Sequence, residues 1–186
     1  MIISNLFNVA LPAVPEKALP STAQWPQIYR GGYVTTKSKK KVDENSAKSV
    51  ATAYRCAHTI CTDVATMPLQ VFQRAGMGAK RIQPNAPLRN TAYLLEVQPN
   101  RWMVPSVWKE TIANWLIWWG NAYIWSPPSR FTEFYILEAS QTYPVFDQNG
   151  DKWYKTIFPN KDEQLIPDVE MVHLMINSRD GRSPGW

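Results

Sequence analysis

Cys56, His58 and Cys61 form the densest group of potential ligands and nucleophiles in the chain. A zinc site is the chemistry such a group could support. The spacing argues against it, because no second ligand pair stands at zinc-finger distance. Cys56 and Cys61 are the only cysteines. Set apart as they are on a predicted helix, they point to different faces and cannot easily bridge. Without a disulfide framework, a reducing compartment is the expected setting. A second candidate is a hydrolytic centre on His173 and Asp180. Asp180-Gly181 reads more simply as a turn, and the chain has 2 histidines in all for acid–base work. Asp43-Glu44 and Asp162-Glu163 are adjacent pairs expected on the surface, not facing each other across a cleft. There is no glycine-rich phosphate loop, HExxH, GxSxG or CxxC. These residues point to a binding or structural protein with no catalytic site, metal or cofactor.

The scaffold to hold them is 186 residues, enough for one domain, or a domain and an arm. A net charge of +5 slightly favours an acidic partner without identifying one. Lys37, Lys39, Lys40 and Lys41 form a run with no interleaved aromatic residues. It reads as a solvated loop capable at most of weak contact with duplex DNA. With 15 prolines against 8 glycines, stiff connections are expected. The apolar N-terminus, MIISNLFNVALPAVPEKALP, lacks the basic start and cleavage pattern of a signal peptide and reads as a docking arm.

The chain is organised around Glu110–Trp125, ETIANWLIWWGNAYIW. Ile112, Trp115, Leu116 and Trp119 recur at helical spacing. Ala122 to Trp125 reads as a buried strand. Gly120 between them can close the helix in a left-handed conformation. No membrane span is expected, since ~20 continuous apolar residues are needed. Here Asn114, Gly120 and Asn121 interrupt the run and Pro127-Pro128 end it.

Residues 1–42 read as irregular, because Pro12, Pro15, Pro20 and Pro26 deny helix. A helix is expected from Asp43 to Thr66, capped by Asp43 or Ser46. Its inward stripe would be Val50, Tyr54, Ala57, Ile60 or Cys61, and Val64. Pro68 stops it. A half-buried strand through Arg74, a polar turn over 76–84 and a short helix from Pro87 to Leu95 follow. Pro105 opens the next helix. Strands are expected at Phe134–Leu137, Thr142–Phe146, Trp153–Phe158 and Met171–Ile176. Asp147-Gln148-Asn149-Gly150 makes a hairpin of the second and third. Helices first and antiparallel strands later give an α+β class.

The order of these motifs resembles the N-terminal part of HK97-type tailed-phage portal proteins. The resemblance rests on Tyr54 and Cys56 in the first helix, then Ala65, Pro68 and Leu69. It continues through Pro87, Leu88, Leu94, Leu95, Pro99 and Asn100, then Gly120-Asn121-Ala122-Tyr123, and finally His173 with Asp180-Gly181. Ala86 stands where the family often has His, and a glycine usual before Ser183-Pro184 is absent.

The resemblance implies an outer wing portion, with 1–42 as an arm and basic loop and 43–186 as an α+β domain incomplete at its C-terminus. Stem, clip and crown would lie beyond Trp186, so a truncated chain of phage or prophage origin is expected. It further implies a non-enzymatic structural subunit of the virion, assembled in the host cytoplasm. Such a subunit belongs to a ring of about twelve copies at one capsid vertex, through which DNA is packaged and ejected. The implied partners are other copies of the chain, the major capsid protein, the terminase large subunit, head–tail connector proteins and double-stranded DNA. A competing reading of the same aromatic residues is a module that binds glycans or peptides.

Overall fold

A computed structural model describes residues 34–35, 41–42, 47–86, 89–127, 133–147, 149–159, 163–176 and 178. Strands β1 (Val34–Thr35) and β2 (Lys41–Val42) pair antiparallel within a region expected to be irregular throughout. Helix α1 (Ala51–Thr66) starts later than expected. Ala47 and Lys48 are helical, but the chain turns at Ser49 and Val50 first. The expected caps Asp43 and Ser46 lie outside the described residues. Val50 holds the N-cap position without a side-chain hydrogen bond.

The expected face of α1 holds at Ala57 and at Cys61, given as the alternative to Ile60, and is corrected elsewhere. Val50, Tyr54 and Ile60 are each more than half exposed, while Ala57, Cys61 and Ala65 are buried. That line of small residues at four-residue spacing lets α1 lie close against helix α3 (Pro105–Trp119). Lys109 of α3 is buried and donates from Nζ to the carbonyl of Met67, just past the end of α1. It thus places positive charge at the negative end of the helix dipole. Met67 is extended (ψ 129), as the residue before Pro68 is expected to be.

Strand β3 (Phe72–Ala75) pairs with β4 (Gly78–Arg81) in a hairpin exposed at every strand position. The half-buried strand and polar turn read from sequence are therefore one solvent-exposed hairpin. Helix α2 (Thr91–Glu96) begins after the expected Pro87; Asn90 caps it by accepting from the Tyr93 amide. Pro87 and Leu88 lie outside the described residues.

Two three-stranded antiparallel sheets build the second half. β5 (Asn121–Trp125) is the centre of the first, between β10 (Met171–Met175) and β6 (Tyr135–Leu137). β7 (Thr142–Phe146), β8 (Lys152–Ile157) and β9 (Glu163–Pro167) form the second. β9 had no counterpart in the sequence reading. The β7–β8 turn carries Gly150 at φ 86, and the Asp147 carboxylate accepts from the amides of Asn149 and Asp151. Facing Thr142 and Thr156 share a buried hydrogen bond of 2.9 Å across that pair of strands.

β5 is covered on both sides, which is why it reads as a continuous apolar run instead of an alternating one. Ala122 and Ile124 pack with Trp108 and Ile112 of α3. Tyr123 faces the other way, onto Tyr154 and Ile166 of the second sheet, with Leu137, Ala139 and Met171 completing the cluster. The layers are therefore helix, sheet, sheet. Trp115 borders both clusters and joins them.

Candidate functional site

The residues singled out from sequence meet most densely where α3 runs into β5. Gly120 closes the helix at φ 69, and its amide donates to the Leu116 carbonyl. This left-handed position is costly for residues with a Cβ. Because the helix ends there, Asn121 and Tyr123 enter the central strand directly.

Tyr123 and His173 are cross-strand partners in β5 and β10, with rings stacked at 4.4 Å. Tyr154 packs edge-on to both rings, at 5.8 Å from Tyr123 and 5.5 Å from His173. Asn121 donates from Nδ2 to the Trp119 carbonyl at 2.8 Å, which leaves its Oδ1 to accept from His173 Nε2 at 3.0 Å. The imidazole is thereby fixed with its proton on Nε2. Its Nδ1 is buried without a partner among the described residues.

Burial first, and then the positive charge of Lys152, lower the His173 pKa to about 3. Burial also pushes both tyrosine hydroxyls well above their usual range; for Tyr154 the nearby Asp168 adds to the effect. An acid–base pair working near neutral pH needs groups that titrate there. This cluster has been moved away from that range on both sides. It is a packed aromatic centre with one oriented imidazole.

The direction of the histidine shift sets a pH dependence. The folded pKa lies below the unfolded value near 6.5, so the unfolded chain takes up the proton first. Stability is fully present above about pH 6.5 and falls as pH drops towards 3. His173 should contribute a loss of about 2 kcal/mol between pH 6.5 and 5. Urea unfolding of wild type and His173→Gln at both pH values checks this. The slope should flatten in the variant, and an unchanged slope would assign the acid sensitivity elsewhere.

Pro99 and Asn100 form a second node. Both are buried. Asn100 Oδ1 accepts from the amides of Trp102 and Met103 at 2.9 and 3.0 Å, and Nδ2 donates to the Phe134 carbonyl at 2.8 Å. The Phe134 amide in turn donates to the Pro99 carbonyl. The loop before α3 is thus stapled to the lead into β6. Asn100→Ala leaves these groups unpaired and should cost about 1–3 kcal/mol. Chemical denaturation measures it, and a variant as stable as wild type would mean the staple is dispensable.

Other sequence candidates are dispersed. Tyr54 and Cys56 are exposed on α1, where Tyr54 stacks on His58. Cys61 is buried beside them. Tyr54, His58, Cys61, Glu110, Asn114 and Trp118 border a groove of about 210 Å³ between α1 and α3. Burial, then Glu110, raises the Cys61 pKa, the reverse of what a nucleophilic thiolate requires. Among the described residues, no group of three or more His, Cys, Asp or Glu could hold a metal ion. No helix among them is long and apolar enough to cross a membrane. Lys41 lies in β2, while Lys37, Lys39, Lys40, Asp180 and Gly181 lie outside the described residues.

Sequence reasoning missed two polar contacts. Lys109 reaches across to the Met67 carbonyl, and Glu170 accepts from Trp125 Nε1 at 3.1 Å. Both partners are distant in sequence, and no local pattern signals either contact. Trp102, 71% exposed beneath Arg101, is the tryptophan most available to a ligand among those described. Trp108 is buried, and Trp115, Trp118, Trp119, Trp125 and Trp153 are at least partly so. Among the described residues, the tryptophans other than Trp102 are at least partly withdrawn from solvent.

Fold and site together define an α+β protein whose distinctive polar residues orient and staple packed elements. The chain belongs to the phage portal protein family, whose family model matches residues 51–185. It is 30% identical over 83 residues to the portal protein of Enterobacteria phage HK97, a stretch covering 44% of this chain and 19% of that protein. Its fold is similar to a chain in the virion of a native gene transfer agent particle (TM-score 0.52, 14% identity), covering 85% of this chain and 37% of that one. It is also similar to a chain in the neck of an empty particle of the same kind (TM-score 0.55, 15% identity), covering 74% and 36%. The chain thus spans well under half the length of each of these proteins.

Proposed function

We propose that this chain is the wing-like portion of a portal subunit, with 1–42 as an arm and basic loop and 43–186 as the α+β wing. It acts as a structural part of the ring at one capsid vertex through which DNA is packaged and ejected. The observation that carries this reading is the family match, which runs through the helices, both sheets and the His173 strand. The chemistry is compatible with it: the partly buried His173 and the buried Cys61 are shifted away from reactive forms near neutral pH.

On this reading the partners are further copies of the chain, the major capsid protein, the terminase large subunit and head–tail connector proteins. DNA contact comes chiefly from parts of a portal outside these residues. The motif residues Tyr54, Cys56, Pro68, Pro99, Asn100, Gly120, Asn121, Tyr123, His173, Asp180 and Gly181 act as architecture, and Lys37, Lys39, Lys40 and Lys41 make at most weak contact with duplex DNA. The site of action is the virion, after assembly in the host cytoplasm. An epitope tag on the protein in the phage or prophage that encodes it, followed by gold labelling of particles, tests this. Label at a single vertex is expected. Label spread over the shell, or absent from particles, would contradict it.

A further inference from the structure

The β3–β4 hairpin is covered less than its composition warrants. Phe72 is 55% exposed, Met77 at the tip is fully exposed, and Met67 and Leu69 leading into it are exposed as well. A two-stranded hairpin on its own is marginal in water, and adjoining exposed apolar side chains mark a contact surface. Its charge is one-sided. Residues 64–95 contain Arg74, Lys80, Arg81 and Arg89 and no acidic residue. Arg81 is engaged by Glu96 at 2.6 Å, whereas Arg74 and Lys80 lie exposed along the strands.

The opposite layer has the opposite charge. From Thr142, where that layer begins, to Glu170, 6 acidic residues stand against 3 lysines. Trp153 pairs with Pro167, which brings the β7–β8 turn next to the end of β9. Asp147 and Asp151 in the turn therefore lie near Asp168, and Val169 beside it is 88% exposed.

Sheet β10-β5-β6 separates the two surfaces, with α3 on one face and the second sheet on the other. The hairpin is tied to the helical side through Lys109–Met67 and Arg81–Glu96. A basic apolar knob and an acidic ledge on opposite layers can be satisfied by a neighbouring copy.

We propose that the β3–β4 hairpin of one copy docks head to tail on the acidic end of the β7-β8-β9 sheet of a second copy, around Asp151 and Val169. Such a contact is heterologous and repeats from copy to copy, closing into a ring only when its rotation allows. It rests on the portal reading insofar as that ring is its closed form. Duplex DNA is the other partner a basic hairpin could take, but phosphate recognition has no use for exposed Phe72 and Met77.

Two charge-reversed forms of the full chain test the contact. One is Arg74→Glu with Lys80→Glu, the other Asp151→Arg with Val169→Arg; all four side chains are exposed. Sedimentation velocity should show small wild-type oligomers that dissociate at about 0.5 M salt. Each variant alone should associate at least about tenfold more weakly, since like charges then face each other. Mixing the two variants should restore association, because each acidic surface again meets a basic one.

A monomeric wild type, a variant that associates as wild type does, or a mixture that stays dissociated would overturn the proposal. So would loss of short-duplex DNA binding by Arg74→Glu with Lys80→Glu while self-association is unchanged. Normal assembly at the vertex that ignores both reversals would overturn this contact and leave the portal reading standing. Absence of tagged protein from the vertex, with the charge dependence intact, would do the opposite.

Discussion

Tyr123→Ala is expected to destabilise the protein by about 3–5 kcal/mol, the range for removing a large aromatic side chain from a packed interior. Tyr123 is 1% exposed, stacks on His173 and meets Tyr154 edge-on. It is the most deeply buried contact of the central strand with the second sheet, so its loss opens the space between two layers. Tyr123→Phe keeps the ring and should lie within about 1 kcal/mol of wild type. Thermal and urea unfolding of both variants check the pair. An alanine variant that melts with wild type would mean the sheets are held together elsewhere.

Gly120→Val is expected to cost about 2 kcal/mol or more. The left-handed conformation alone costs about 1–2 kcal/mol for a residue with a Cβ, and a β-branched side chain adds strain there. Gly120 sits at φ 69, where helix passes directly to strand, and its carbonyl accepts from the Ile176 amide at 2.8 Å. A shift at this turn therefore disturbs both α3 and the end of β10. Gly120→Asn should be milder, because Asn tolerates this conformation better. Equal losses in the two variants would point to crowding by any side chain, not to backbone strain.

The turn at Gly120 was legible because local chemistry determines it: a helical stripe, a glycine and a short apolar run stand in sequence. The same holds for α3, which starts at Pro105, and for the β7–β8 hairpin around Gly150. The face of α1 was partly misread for a physical reason. Hydrophobicity added Val50, Tyr54 and Ile60 to the correctly expected Ala57 and Cys61, but close helix packing selected Ala57, Cys61 and Ala65. The charged and polar start of β9, Glu163-Gln164, hid a strand whose inward residue is Ile166.

The hairpin β3–β4 was half missed, since strands exposed on both faces carry no burial pattern. The centre at Asn121, Tyr123 and His173 joins residues far apart in the chain. Composition gave no means of pairing them. The family resemblance named them together without saying that His173 donates to Asn121. Asn100 was likewise visible as a motif residue, while its role as a three-bond staple needed the fold.

On the proposed reading the chain is a structural part of a larger assembly. Tyr123, Tyr154 and His173 pack together as neutral groups, and Phe72 and Met77 stand exposed on the β3–β4 hairpin. Deleting the encoding gene in its own phage or prophage and measuring nuclease-protected genomic DNA in the resulting particles tests the portal reading most directly. The expected result is shells nearly devoid of DNA, restored by wild-type protein supplied in trans. Particles that remain full without the gene would contradict it.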